Sequence, residues 1–246
     1  MRRLMLPIFG LTTVLTGCST LQPQALQSAA KALDVADITS IEYSGSGRWF
    51  QFGQAPNPAL PWPQFDVSRF AADIDYQTPS ARVQITRKQS IEPGRLRPAP
   101  VEQKPDQYVS GTYAWNLAVP ASAPQGAAPV PAAQPAAVEE RLAEIWATPQ
   151  GFLKAAIANH ASTQSTDGGT EVSFTLDGKY RYIGSINADN QVERVQTWID
   201  NPVLGDTLVE TRYSDYKDFD GIAFPSHIER IQGGYPVLDL NVSAVK

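Results

Sequence analysis

Short segments in which apolar and polar residues alternate occupy most of the chain, as expected for strands with one buried face. In the first half they lie at 41–46, 65–76, 81–85 and 108–117. In the last 75 residues, six more lie at 172–174, 180–186, 192–199, 208–216, 222–231 and 237–245. Asp177-Gly178 and Asp220-Gly221 are hairpin signals between such segments. The pattern predicts about ten antiparallel strands.

Between these two groups the periodicity becomes helical. Val138, Leu142, Ile145 and Trp146 fall on one helical face, and Glu139, Glu140 and Glu144 are expected on the other. Thr148-Pro149 then supplies an N-cap followed by a proline at the first helical position. Apolar residues continue at helical spacing at Phe152, Leu153, Ala156 and Ile157. We therefore predict two short helices that meet at an angle.

Two further segments complete the predicted organisation. Residues 118–137 are rich in alanine and proline, which indicates a flexible, partly polyproline insertion. Residues 18–37 form a tether with a short helix around 29–33, and 38–246 form one domain. The predicted class is α+β and mostly antiparallel: a curled half-barrel sheet of about ten strands, with the two short helices on its concave side.

The N-terminus has the layout of an export signal, with Arg2 and Arg3 followed by an apolar run too short to span a bilayer. Leu-Thr-Gly-Cys at 15–18 resembles the lipobox of bacterial lipoproteins, which implies cleavage after residue 17 and lipidation of Cys18. Cys18 is the sole cysteine, so an intramolecular disulfide is excluded. Stable anchoring takes two or more lipid signals. The resemblance implies several acyl chains, and Ser19 favours delivery to the outer membrane.

Charge and residue inventory exclude several functions. The net charge is −5, and removal of residues 1–17 makes it −7, which argues against nucleic-acid binding. His160 and His227 lie in no metal-ligand spacing, and each is interpreted as structural or surface-exposed. The Gly-Ser-Gly at 45–47 lies on an extended segment and lacks a nucleophile elbow. We expect no metal, no cofactor and no enzymatic activity.

The remaining candidate site is apolar. Its proposed groove residues are Trp49, Trp115, Trp146, Phe152 and Trp198. These side chains fit two interpretations. They could build an ordinary core, or they could line the concave face of the curled sheet and hold an acyl chain when the helices move aside.

Three segments, 33–47, 149–156 and 198–240, resemble the region that precedes the catalytic domain in bacterial metallo-β-lactamase-fold hydrolases. Within the third, 200–206, 213–219 and 234–240 are the most specific. The zinc motif of those enzymes, H-x-H-x-D-H, is absent, and the chain stops about where their catalytic domain would begin. The phrase Tyr-x-Asp-Tyr-x-x-Phe-Asp-Gly-x-x-Phe-Pro at 213–225 also resembles late strands of LolA/LolB-like lipoprotein carriers, which implies a half-barrel covered by helices.

These resemblances lead to two functional hypotheses. The first is a lipid-anchored, non-enzymatic lipoprotein that faces the periplasm from the outer membrane and binds an apolar ligand such as an acyl chain. The second is an accessory domain that docks on a separate metallo-β-lactamase-fold hydrolase. The expected partners are therefore the membrane, through lipidated Cys18, together with an apolar ligand or a hydrolase, and not a nucleic acid.

Overall fold

The computed structural model describes residues 24–55, 62–91, 100–201 and 203–246. The predicted signal peptide (1–17), the predicted lipidation residue Cys18 and the start of the predicted tether lie outside these residues. The described segments form one extended antiparallel sheet with three α-helices packed against one of its faces.

Thirteen strands build the sheet. The first six are β1 (Ser40–Phe50), β2 (Gln64–Asp75), β3 (Ser80–Gln89), β4 (Asp106–Ser110), β5 (Tyr113–Ala118) and β6 (Val130–Ala133). The other seven are β7 (Ser162–Thr166), β8 (Gly169–Leu176), β9 (Tyr180–Asn187), β10 (Val192–Asn201), β11 (Gly205–Phe219), β12 (Ile222–Gln232) and β13 (Tyr235–Val245). The sheet is mostly antiparallel β as predicted, with three strands more than the expected ten.

The additional strands arise at three places. The predicted strand at 108–117 is a hairpin, β4–β5, because the chain reverses at Gly111 with a φ of 54°. Part of the predicted flexible insertion, 130–133, pairs with β5 as strand β6, so the linker prediction is wrong there. The third is β7, a run of serine, threonine and glutamine that pairs with β8.

The strands follow the order β6-β5-β4-β3-β2-β1-β13-β12-β11-β10-β9-β8-β7. Every neighbouring pair is antiparallel, and the sheet is open, with β6 and β7 as its edges. In its middle the first long strand pairs with the last, from Tyr43 opposite Val245 to Trp49 opposite Leu238. The first and last strands of the described chain therefore lie side by side at the centre of the sheet.

The helices are α1 (Gln24–Ala32), α2 (Val138–Ala147) and α3 (Pro149–Ala158), and a 3-10 helix at Pro135–Ala137 leads into α2. The predicted start of α3 is confirmed, because the Gly151 N–H donates to Thr148 Oγ1 at 3.3 Å and Pro149 occupies the first position. Tyr76 and Tyr213 hold the α2–α3 corner to the sheet. The Tyr76 hydroxyl contacts Thr148 Oγ1 at 2.8 Å, and the Tyr213 hydroxyl donates to the carbonyl of Ala147.

Alternation along each strand separates two faces of the sheet. In β10, Val195, Thr197 and Ile199 are buried, while Gln196 and Trp198 are only partly buried. We call the face that packs against the helices the inner face and the opposite face the outer face. The hydrophobic core fills the space between the inner face and the three helices.

Candidate functional site

A cavity of about 350 Å³ lies between α2 and the inner face of the sheet. Its walls come from β1–β3, β12 and β13, with smaller contributions from β4, β10 and the segment after β1. The lining residues are Trp49, Phe50, Gln51, Phe52, Phe70, Val83, Ile85, Gln107, Ala137, Glu140, Arg141, Glu144, Asn201, Arg230, Gln232, Val237 and Leu238. Its volume is within the range of small-molecule sites, about 300–1,000 Å³.

Apolar side chains form most of the sheet side of this cavity. Trp49 lies at one end, where its ring contacts Phe65 edge-on with the centroids 5.4 Å apart. The Arg87 guanidinium stacks on Trp49, 3.7 Å from the centroid, and burial lowers the pKa of Arg87. These contacts fix the indole ring as a rigid wall. An aliphatic chain placed here would contact carbon on the side of the sheet.

The α2 side of the cavity is charged. Arg230 of β12 forms an ion pair with Glu144, and both side chains are largely buried. Burial tends to lower the pKa of Arg230, but Glu144 and the nearby Tyr43 outweigh it and raise this pKa. Burial has the opposite effect on the neighbouring Tyr43 hydroxyl and raises the pKa of Tyr43 to about 12. Glu140 and Glu144 were expected to point away from the core, but both line the cavity, so their predicted position is wrong. The arginine on the sheet draws Glu144 inward.

Arg141 holds α2 over the edge strands. Its Nη1 donates to the carbonyls of Tyr108 at 2.8 Å and Trp115 at 3.0 Å, and its Nη2 donates to Asn116 Oδ1 at 2.7 Å. Burial lowers the pKa of Arg141. The guanidinium thus binds three acceptors of the β4–β5 hairpin. Arg141 on one side of the cavity and the ion pair of Glu144 with Arg230 on the other therefore attach α2 to the sheet.

Three of the five predicted groove residues lie on the inner side, but only Trp49 lines the cavity. Trp146 packs at the α2–α3 corner with its ring 6.4 Å from that of Tyr76. Phe152 is completely buried by the protein's own side chains, 5.5 Å from the ring of Phe174. For Trp146 and Phe152, the ordinary-core interpretation fits the observed packing.

Trp115 and Trp198 lie on the outer face, so the structure separates them from the other three. Trp115 stacks on Tyr108 with centroids 5.2 Å apart, and Trp198 carries Arg181 over its ring at 3.7 Å. Alternation along β10 explains the outward position of Trp198, because Thr197 and Ile199 on either side of it are buried on the inner face. Whether Trp49 contacts a ligand stays a prediction.

The two histidines occupy very different surroundings. His160 is exposed just after α3, with a φ of 50°. His227 lies within β12 on the outer face and contacts two polar side chains: its Nδ1 is 3.2 Å from Ser214 Oγ, and its Nε2 is 2.9 Å from Asp239 Oδ1. Sequence spacing did not reveal this group, because its three members lie on three different strands.

Comparison with known proteins supports the fold. No protein-family model matches the chain, and no curated protein matches it. Among solved structures, it is similar to a LolA superfamily protein from Nitrosomonas europaea, with a TM-score of 0.50 and 17% sequence identity, over 90% of this chain and 92% of that one. The predicted LolA-like fold is therefore confirmed. The resemblance to the leading region of metallo-β-lactamase-fold hydrolases stays a prediction.

Within the described part of the chain, no helix is both long and apolar enough to cross a membrane. In that same part, no three side chains of the types His, Cys, Asp and Glu are grouped as metal ligands.

Proposed function

We propose that this protein is a lipid-anchored lipoprotein that holds an apolar ligand, such as an acyl chain, in the cavity under α2. Lipid on Cys18 attaches it to the outer membrane, and the folded domain faces the periplasm. The LolA-like fold supports a carrier-like role. The observation that carries the proposal is the cavity itself, with Trp49, Phe70 and Leu238 on its sheet side.

The shape of the interior supports a ligand of modest size. A volume of about 350 Å³ accommodates a single aliphatic chain better than a bundle of several. The described lining residues include no serine, threonine, cysteine or histidine, so we assign this cavity a binding role and not a chemical one. The ion pair of Glu144 with Arg230 joins α2 to the sheet beside the cavity.

Filling the cavity from the sheet tests the binding role. Val83→Phe places a ring into the cavity, and we expect it to weaken binding of a fluorescent fatty acid by at least tenfold, a loss of about 1.4 kcal/mol. Thr86→Phe is the matched control, because Thr86 lies on the outer face of the same strand. Fluorescence titration of the delipidated protein measures both. Equal affinity in the two variants, or no binding by the wild type, would reject the proposal.

The anchor is tested separately. Cys18→Ala removes the only thiol, so it should abolish incorporation of radiolabelled palmitate and move the protein from the outer-membrane fraction to the soluble periplasmic fraction. Ser19→Asp keeps the thiol and should instead redirect the labelled protein to the inner membrane. A Cys18→Ala protein that still fractionates with membranes would show that another feature holds it there.

A further inference from the structure

A serine, a histidine and an aspartate form a continuous hydrogen-bonded row on the outer face of the sheet. Ser214 is on β11, His227 on β12 and Asp239 on β13, three strands that are direct neighbours. Ser214 and His227 are opposite each other in the β11–β12 ladder. Because the strands are paired on both sides, the backbone fixes these positions before any ligand arrives, which is the preorganisation that a reactive group needs.

The positions of the protons in this row follow from the ionised carboxylate of Asp239 at one end. Asp239 also forms an ion pair with Arg48. Burial tends to raise the pKa of Asp239, but the hydrogen bonds from His227 and Arg48 outweigh it and lower this pKa, so the carboxylate is ionised and can only accept. His227 Nε2, 2.9 Å from Asp239 Oδ1, therefore carries the proton. In the neutral ring, Nδ1 is left as an acceptor for the Ser214 hydroxyl at 3.2 Å, closer than the other acceptor of this hydroxyl, Asp215 Oδ2 at 3.4 Å.

The row borders an open groove of about 490 Å³. Arg194 and Arg212, which are opposite each other on β10 and β11, lie in its wall beside Ser214 and His227. Within the described chain, Arg194 Nε is buried and has no hydrogen-bond partner, whereas Arg212 is paired with Glu210. Guanidinium donors next to a nucleophile–base pair are suited to stabilising a developing oxyanion.

We propose that Ser214 and His227 are the nucleophile and general base of a second site, which hydrolyses small carboxylic esters in this groove. Asp239 is a positioning residue that fixes the tautomer of His227. The site lies on the opposite face of the sheet from the cavity under α2, so it is independent of the binding function proposed above.

The reaction proceeds in two balanced steps. Ser214 Oγ bonds to the ester carbonyl carbon while its proton passes to His227 Nδ1, and the carbonyl electron pair moves onto the oxygen beside the arginines. The bond to the alkoxy group then breaks, and the departing alcohol takes the proton from His227. In the second step, water gives a proton to His227 and bonds to the acyl carbon. Ser214 leaves with that proton, and the carboxylic acid is released.

Covalent labelling and turnover test the site in the full chain, purified in detergent. A fluorophosphonate probe should label Ser214, as located by peptide mass spectrometry, and the protein should hydrolyse p-nitrophenyl acetate. Ser214→Ala and His227→Gln should each lower the rate roughly 100-fold or more and abolish labelling. Ser243→Ala is the matched control, since Ser243 is an exposed serine on the same strand as Asp239 that does not line the groove, and it should retain both.

Denaturant unfolding of each variant separates loss of chemistry from loss of fold. Asp239→Asn leaves an amide that can orient the ring differently, so we expect slow turnover with normal stability. Labelling of a serine other than Ser214, equal hydrolysis by wild type and Ser214→Ala, or no labelling of the folded wild type would each overturn the proposal. None of these outcomes affects fatty-acid binding in the cavity, so the two proposals fail separately.

Discussion

The two halves of the space beneath the helices are built differently, although one continuous sheet forms the floor of both. Under α3 the space is filled: Phe152, Phe174 and Tyr182 stack in series with centroids 5.5 and 5.2 Å apart. Gly184 lets α3 approach, because a Cβ there would lie 2.4 Å from Cζ of Phe152. Under α2 the cavity remains. The floor under α2 carries Arg230 and Gln232 among its apolar side chains, and α2 itself adds further charged groups, so polar side chains distinguish the open half.

The sequences of the two helices explain this contrast. Within α3, Phe152, Leu153, Ala155 and Ala156 are buried, and close packing follows from their shape. On the cavity side, α2 presents Glu140, Arg141 and Glu144 to the sheet. Charged side chains need partners of their own and keep the helix from settling onto the apolar floor. The half under α3 is thus closely packed, and the half under α2 keeps an open space.

The strongest test of this contrast is Phe152→Ala. It removes a fully buried ring from the filled half and should lower the free energy of unfolding by about 4 kcal/mol. Urea denaturation followed by tryptophan fluorescence measures this loss. Trp49→Ala, in the wall of the cavity, should cost clearly less, because that ring already borders open space. Equal losses in the two variants would contradict the division into filled and open halves.

The ion pair across the cavity gives the next largest effect. Glu144→Ala leaves Arg230 without its carboxylate and should cost about 3 kcal/mol, the lower end for a buried pair because both side chains keep some contact with solvent.

Replacing both partners of this pair together, Glu144→Leu with Arg230→Met, should recover most of that stability. The same double variant should let α2 move toward the sheet and weaken fatty-acid binding. A double-mutant cycle in urea that shows no coupling between the two positions would mean that the ion pair of Glu144 with Arg230 does not hold α2 away from the sheet.

Much of the architecture could be predicted from local sequence. The alternation after residue 171 and the cap at Thr148 depend on neighbours in the chain, and both helices begin and end close to where the pattern places them. Strand β7 could not be predicted in this way, because its residues are all polar and an edge strand needs no buried face. The turn at Gly111, in contrast, could be predicted, because the dipeptide Ser110-Gly111 is typical of turns.

The candidate site was much harder to predict. The ion pair of Glu144 with Arg230 joins residues 86 positions apart, and the row from Ser214 to Asp239 spans three strands. Neither follows from spacing along the chain. The groove candidates are aromatic residues on or near predicted strands and helices, but burial and the alternation of the strand decide which face each occupies. The outward position of Trp115 shows this, since its neighbour Ala114 belongs to the core.

The smallest expected difference is between two identical substitutions. Ile186→Val trims a methylene from the filled half and should cost about 1.5 kcal/mol, whereas Ile85→Val beside the cavity should cost about 0.5 kcal/mol. Thermal unfolding of both variants measures the difference. Because the chemical change is the same, the sites alone set the result, and a reversed order would mean that the cavity half is the better packed.

The pairing of β1 with β13 has a consequence for the order of events after synthesis. About 200 residues separate paired positions on the two strands, such as Tyr43 and Val245. The ladder therefore cannot form until the eleven residues of β13 have left the ribosome. Until then β1 has only β2 beside it, and the two sides of the sheet remain separate pieces. Loop closure over such a distance is slow. The pairing that joins the two sides of the sheet is therefore among the last contacts that the chain can form.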